Sequence, residues 1–220
     1  MTMSVPEKQP TDFIRFDHDR LSSKTTPDVS ALSQACDALA DRGLLASYES
    51  GEFIGSNGNV SQRHPEGGFL ITATQLRSKQ DLGPAAFVHI VDYSRTATSY
   101  TARFHGLRLP SSESLLHWHL YKCFPEVNAI VHAHEFNNRL YGDPDRWPEL
   151  NIVETARSGA PGTIDLGEVA SEAFADTAHY VILKNHVPPW DRHRTGTVAL
   201  GQTLAKATAR ALHIHEQLAP

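Results

Sequence analysis

An α/β domain built on a mainly antiparallel sheet is the fold class that this sequence predicts. Short runs rich in β-branched and aromatic residues alternate with segments of helical periodicity. The connections between several of those runs are short enough to permit antiparallel pairing. At 220 residues the chain suffices for one sizeable domain or two small ones, and it carries neither an internal repeat nor a low-complexity stretch.

Residues 1–27 are polar, proline-bearing and unpatterned, which predicts a surface lead-in; the domain is expected over residues 28–220. Pro27-Asp28 opens a helix in which Val29, Leu32, Ala35, Cys36, Leu39 and Ala40 recur on one face, and Gly43 is placed to stop it. After a short turn-bounded segment at residues 51–55, Asn57-Gly58-Asn59 reads as tight backbone. A simple hairpin turn is the first expectation there; a nest of N–H groups facing an anion is the alternative. Phe69 to Thr72 and Phe87 to Tyr93 are expected strands, joined through Thr74 to Lys79, a polar stretch expected to be exposed. Another strand follows over Thr96 to Phe104.

Pro110-Ser111-Ser112-Glu113 supplies candidate caps and a first-turn acid for a helix ending near Phe124-Pro125, with Leu115, Leu116, Leu120 and Phe124 as its apolar face. Val127 to His134 is an expected strand. Asn137 to Pro161 has loop composition. A helix is expected over Gly167 to Ala175, a strand over Tyr180 to Leu183, and a final alanine-rich helix from Thr195 or Thr197 to about Leu218.

Composition excludes several function classes. No apolar run approaches bilayer length, and the first residues lack the apolar core of a signal peptide, so a cytoplasmic protein without membrane contact is expected. Net charge is −5, and no basic cluster exceeds Arg192-His193-Arg194, which argues against nucleic acid as a partner. Cys36 and Cys123, the two cysteines, are expected as reduced, buried thiols. No phosphate-binding P-loop, dinucleotide fingerprint, nucleophile elbow or Cys-x-x-Cys is present.

The chemistry concentrates between residues 109 and 135. On a strand, residues two apart share a face, so His132 and His134 stand side by side and can grip one metal ion. His186, at the end of another expected strand, is the natural third ligand, and Glu113 can fold back towards them. Three neutral imidazoles with an open fourth position describe a catalytic zinc site; three unrelated polar residues at strand ends are the alternative. Two further His-x-His pairs, His117/His119 and His213/His215, fall in expected helices, where residues two apart diverge by about 200°. His213 and His215 are expected on the helix surface, and His117 in the core or behind the site. Ser111 and Ser112 either cap their helix or present an anion site at its N-terminus.

Gly58-Asn59-Val60-Ser61, Thr72-Ala73-Thr74, Pro110-Ser111-Ser112-Glu113 with His117, Val131-His132-Ala133-His134 and Asn185-His186 occur in the order seen in the class II aldolase/adducin family. The chain resembles that family, and its fuculose-phosphate aldolase-like members in particular, over residues 30–215. The resemblance implies a three-layer α/β/α domain around a mainly antiparallel sheet, assembled as a homotetramer. It also implies a divalent metal, Zn²⁺ first with Mn²⁺, Co²⁺ or Fe²⁺ as alternatives, on His132, His134 and His186. Glu113 is then the general acid/base, and Gly58, Asn59, Thr74, Gln75, Ser111 and Ser112 hold a substrate phosphate.

The implied activity is that of a lyase. It would cleave a small phosphorylated hydroxy-carbonyl or sugar substrate by a retro-aldol step through an enediolate whose charge the metal offsets. Epimerisation, decarboxylation, dehydration and a non-catalytic adducin-like binding module are the alternatives; the retained histidines and glutamate favour an enzyme. Two departures stand out. Gln75 occupies a position that the family gives to glycine, and Val187-Pro188-Pro189-Trp190 follows His186 where the family has glycine. Tyr141 is the candidate for a tyrosine contributed to a neighbouring subunit.

Overall fold

The computed structural model describes residues 15–25, 28–50, 53–174 and 179–218. Eleven strands and five α-helices form in chain order among these residues. They are β1 Asp17–Ser22, α1 Ser30–Asp41, β2 Ser47–Ser50, β3 Phe53–Ser56, β4 Asn59–Arg63, β5 Phe69–Thr72, β6 Phe87–Arg95 and β7 Tyr100–His105. Then follow α2 Ser114–Cys123, β8 Ala129–Phe136, α3 Asn137–Leu140, β9 Ile152–Glu154, α4 Ile164–Phe174, β10 Tyr180–Ile182, β11 Arg194–Gly201 and α5 Leu204–Gln217.

Nine strands make one sheet in the order β1-β7-β6-β5-β4-β8-β11-β10-β9. The outermost pairs, β1 with β7 and β9 with β10, are parallel, and every pair between them is antiparallel. Helices α1 and α5 pack together against β4, β8 and β11, while α2 and α4 pack together against β6, β9 and β10. The sheet is thus the middle of three layers. Its central strands β8 and β11 are buried along nearly their whole length, as strands covered on both faces must be.

Most expected elements form within a few residues of their expected bounds; Pro27 and Ala175, the expected ends of two helices, and the first fourteen residues lie outside the described residues. Several expectations are corrected. The final helix does not start at Thr195: Arg194–Gly201 is strand β11, and the helix begins at Leu204, where the Thr203 hydroxyl accepts from the Lys206 N–H. Alanine content concealed a β-branched run, Thr195-Gly196-Thr197-Val198, that pairs residue by residue with β8.

Residues 57 and 58 are no hairpin turn, because they carry the chain from the two-stranded β2–β3 sheet into β4 of the main sheet. The lead-in supplies an edge strand, β1. The expected loop 137–161 contains α3 and the three-residue edge strand β9. Lys79 and Leu76 are buried within the stretch expected to be exposed. Cys36 is buried as expected, but Cys123 is exposed. His213 is at the surface, whereas His215 is buried against Glu135, with its Nδ1 2.6 Å from Oε2.

Candidate metal centre

Strand β8 places His132 and His134 on the sheet face that α2 covers, since β4 aligns Asn59 with His132 and Ser61 on that face meets His117 of α2. His186 follows β10 in a turn tied to β11 by the Gly196 N–H to His186 C=O bond, 2.8 Å. The three rings converge with centroids 4.9 to 5.3 Å apart. They offer ligand nitrogens that all lie within 4.8 Å of one another, and all three residues are buried. The prolines at 188 and 189 leave the third histidine in the cluster.

Gly196 on β11 makes this convergence possible. A Cβ there would lie 2.1 Å from His186 Cδ2 and 3.0 Å from His132 Cε1, so any side chain would displace two of the three rings. Gly58 has a similar part from the β4 side: its φ is +68°, and a Cβ would come within 2.5 Å of the His132 carbonyl oxygen.

Glu113 sits at the N-cap position of α2 without capping it. Its side chain turns to the histidines instead, with Oε2 2.6 Å from His132 Nε2 and Oε1 3.0 Å from His186 Nε2. Burial pushes its carboxyl up, but His132 and His186 outweigh that and hold it well below the usual carboxylate range. Burial also pulls His132 down, and the Glu113 charge more than reverses this, raising it. His134, buried beside two other imidazoles, is driven well below its ordinary value and stays neutral.

The donor set fits a divalent cation. His132 donates its Nδ1–H to the Thr197 carbonyl at 2.9 Å, which directs Nε2, the nitrogen a metal would take, into the cluster. His134 Nε2 lies 3.2 Å from His132 Nε2, so the two ring nitrogens converge on one region that a shared cation could occupy. The Nδ1 atoms of His134 and His186 are buried without a hydrogen-bond partner. His117 stands behind the cluster, 2.6 Å from the Ser61 hydroxyl, its value pulled down to about 3 by burial.

The histidines open into a cavity of about 290 Å³, near the lower bound for small-ligand sites. Gly58, Asn59, Thr74, Gln75, Ser111, Ser112, Glu113, His134 and His186 all line it; His132, fully buried, does not. Asn59 Nδ2 donates to Ser111 Oγ at 3.0 Å, leaving Asn59 Oδ1 buried and unpartnered. Ser111 Oγ also accepts from the Glu113 N–H at 3.4 Å, so the serines stand just ahead of α2 rather than in its first turn. Gln75 adopts φ +57°, a left-handed backbone that favours glycine, which costs a side-chain-bearing residue about 1–2 kcal/mol. Tyr141 does not line the cavity; its hydroxyl donates to Glu154 at 2.8 Å.

Sequence reasoning missed four contributors. Gly196 was hidden by the misplaced helix start. Lys79 and Tyr48 also line the cavity, and so does Trp190, which stacks on Tyr48 at 4.3 Å and donates its indole N–H to Asn57 Oδ1 at 2.9 Å. An aromatic directly after a double proline was the available signal for Trp190; nothing local marked Lys79.

The sequence profile of the family described as Class II Aldolase and Adducin N-terminal domain matches residues 34–219. Among curated relatives, a 5-methylthioribulose-1-phosphate/5-deoxyribulose-1-phosphate aldolase of Escherichia coli is 35% identical over 89 residues, 40% of this chain and 37% of that protein. A methylthioribulose-1-phosphate dehydratase of Yersinia enterocolitica is 28% identical over 122 residues, 56% of this chain and 50% of that one. The chain thus spans half the length or less of these two relatives. Among solved structures, the L-fuculose-1-phosphate aldolase from Thermus thermophilus superposes with a TM-score of 0.59 at 19% identity, covering 86% of this chain and 89% of that one. An aldolase II superfamily protein from Pseudomonas syringae does so with a TM-score of 0.55 at 16% identity, covering 86% and 70%. These likenesses show the fold.

Proposed function

The chain belongs to the class II aldolase and adducin family, and from that premise we propose that it is a metal-dependent lyase acting on a small phosphorylated hydroxy-carbonyl compound. The observation that carries the reading is the meeting of three buried histidines with one carboxylate, Glu113, at the end of a polar cavity. His132, His134 and His186 would hold the ion, and three imidazole nitrogens suit Zn²⁺ first, with Mn²⁺, Co²⁺ or Fe²⁺ able to replace it. Bound there, a divalent cation supplies a Lewis acid that polarises a substrate carbonyl and offsets negative charge developing beside it.

The protein's own groups do the rest. Thr197 fixes the His132 ring through its carbonyl. Asn59 and Ser111, bonded to each other, stand with Gly58, Thr74, Gln75 and Ser112 to receive the phosphate, so remote binding orients the reacting carbons. Glu113 moves the proton. In cleavage its carboxylate takes the proton from the hydroxyl of the departing aldehyde fragment and returns it to the carbon that has lost its partner; in loss of water it takes the proton from the carbon beside the carbonyl and passes it to the leaving hydroxyl.

Loss of water is the second reading, favoured because curated relatives are named methylthioribulose-1-phosphate dehydratase. Incubation of the Zn²⁺-loaded protein with a panel of ketose 1-phosphates separates the two. Release of an aldehyde with a three-carbon ketone phosphate supports cleavage, and a dicarbonyl of unchanged carbon count supports dehydration. Neither product, together with no change in substrate, would sink the lyase reading.

A homotetramer of residues 28–220, with β1 added from the lead-in, completes the proposal. Leu21, Leu107, Phe136, Tyr141, Val153 and Val187 are large apolar side chains at the surface that subunit contacts would cover. The free thiols of Cys36 and Cys123 fit a reducing, cytoplasmic setting. Light scattering tests the assembly: a mass of one chain contradicts it.

A further inference from the structure

Lys79 is 3% exposed and lines the cavity. Its Nζ donates to Ser56 Oγ at 2.9 Å and lies 3.4 Å from the Ser56 carbonyl oxygen. No described residue forms an ion pair with it. Such a group is expensive to bury, because desolvation penalises the charged form, and burial here draws the ammonium down to about 8.

The two acidic groups that act on it cannot neutralise it. The Cys36 thiol is pushed up to about 12 by its own burial and stays neutral. Glu113 is already engaged by His132 and His186. Glu113 is also the only carboxylate lining the cavity among the described residues, while Arg15 adds a second cation to the wall. Ser56, the partner of Lys79, leads directly into Asn57-Gly58-Asn59, so the unpaired charge is fastened to the segment that faces the cavity opposite Ser111.

We propose that Lys79 is the counter-cation for the phosphate monoester of the substrate, closing an anion site formed with Asn59, Thr74, Ser111 and Ser112. This rests on the lyase reading of the same pocket and sharpens it: the preferred substrates are ketose phosphates rather than free ketoses. The left-handed Gln75 sits in the turn between Thr74 and Lys79, and the turn beyond it brings a charge to the pocket that serine and backbone donors lack. A charge-assisted hydrogen bond to phosphate is worth about a factor of ten or more in affinity.

The test compares wild type with Lys79→Met and Lys79→Arg, all Zn²⁺-loaded, by titration with inorganic phosphate, with glycolate, and with ribulose and ribulose 1-phosphate. Lys79→Met is expected to weaken inorganic phosphate and ribulose 1-phosphate at least about tenfold, to leave ribulose unchanged, and to keep metal content and melting temperature at or above wild type. Lys79→Arg should restore part of the phosphate affinity. Phosphate binding by Lys79→Met equal to wild type overturns the assignment. Equal weakening of ribulose and its phosphate overturns it as well, as does a dependence on Lys79 seen with glycolate but not phosphate. Lys79-dependent phosphate binding in a protein that turns over no ketose phosphate would instead leave Lys79 assigned and remove the lyase reading.

Discussion

Strand β8 carries two buried histidine–glutamate clusters on opposite faces, and they behave differently. On the α2 face, Glu113 meets His132 and His186 at the end of a cavity. On the α5 face, Glu135 meets His215 at 2.6 Å, with the Arg139 guanidinium beside both. Alternation along the strand separates them, since His134 and Glu135 are neighbours in sequence but point to opposite layers.

The α5-face cluster does not line the cavity, and a guanidinium supplies its compensating charge. Among the described residues the α2-face carboxylate, Glu113, pairs with imidazoles and with no lysine or arginine; that cluster buries two of its ring nitrogens unpartnered and opens onto space. Residue type alone does not distinguish a site from a structural ion pair. Unspent ligand capacity and access do.

The largest expected effect sharpens that contrast. Glu113→Gln keeps the size and burial of the side chain but removes the proposed proton carrier, so turnover of an accepted substrate should fall by about 10²–10⁴-fold with bound metal retained. Glu135→Gln acts on the other face and should leave metal stoichiometry unchanged. It breaks a buried pair and strands His215 and Arg139, which should cost about 3–5 kcal/mol in denaturant unfolding. A Glu135 variant that kept its stability but lost metal would invert the comparison.

A smaller effect is pH-dependent. His117 is held neutral, at about 3 against an ordinary 6.5. Between those values the unfolded chain binds a proton that the folded chain excludes, so stability should fall as pH drops through this window. The slope from this residue approaches about 1.4 kcal/mol per pH unit. His117→Gln should flatten that part of a stability-against-pH curve measured in urea; an unchanged slope would show that His117 is protonated in the fold. The smallest effect is at Gln75, where relief of the left-handed backbone by Gln75→Gly is largely offset by the chain entropy of glycine. Stability should rise by no more than about 1 kcal/mol.

Much of this was legible in the sequence because periodicity is local. His132-x-His134 in an apolar run required a strand to be useful, and the ordered motifs supplied Glu113 and His186 from two other elements. What stayed hidden depends on long-range packing. Gly196 matters only because β11 passes beneath two imidazole rings, and nothing in Thr195-Gly196-Thr197 announces that. Lys79 sat in a polar stretch that composition places at the surface, yet the turn beyond Gln75 folds it inward. His215 was expected at the helix surface because its partner, Glu135, lies 80 residues earlier.

The central claim is that His132, His134 and His186 together hold one divalent ion. Calorimetric titration of Zn²⁺ into metal-stripped wild type, into His132→Ala/His134→Ala and into His213→Ala tests it most directly, with circular dichroism confirming that each is folded. The account predicts one tight site per chain in wild type and in His213→Ala, and none in the double variant. A folded double variant that binds Zn²⁺ as wild type does, or a wild type that binds none, would contradict it.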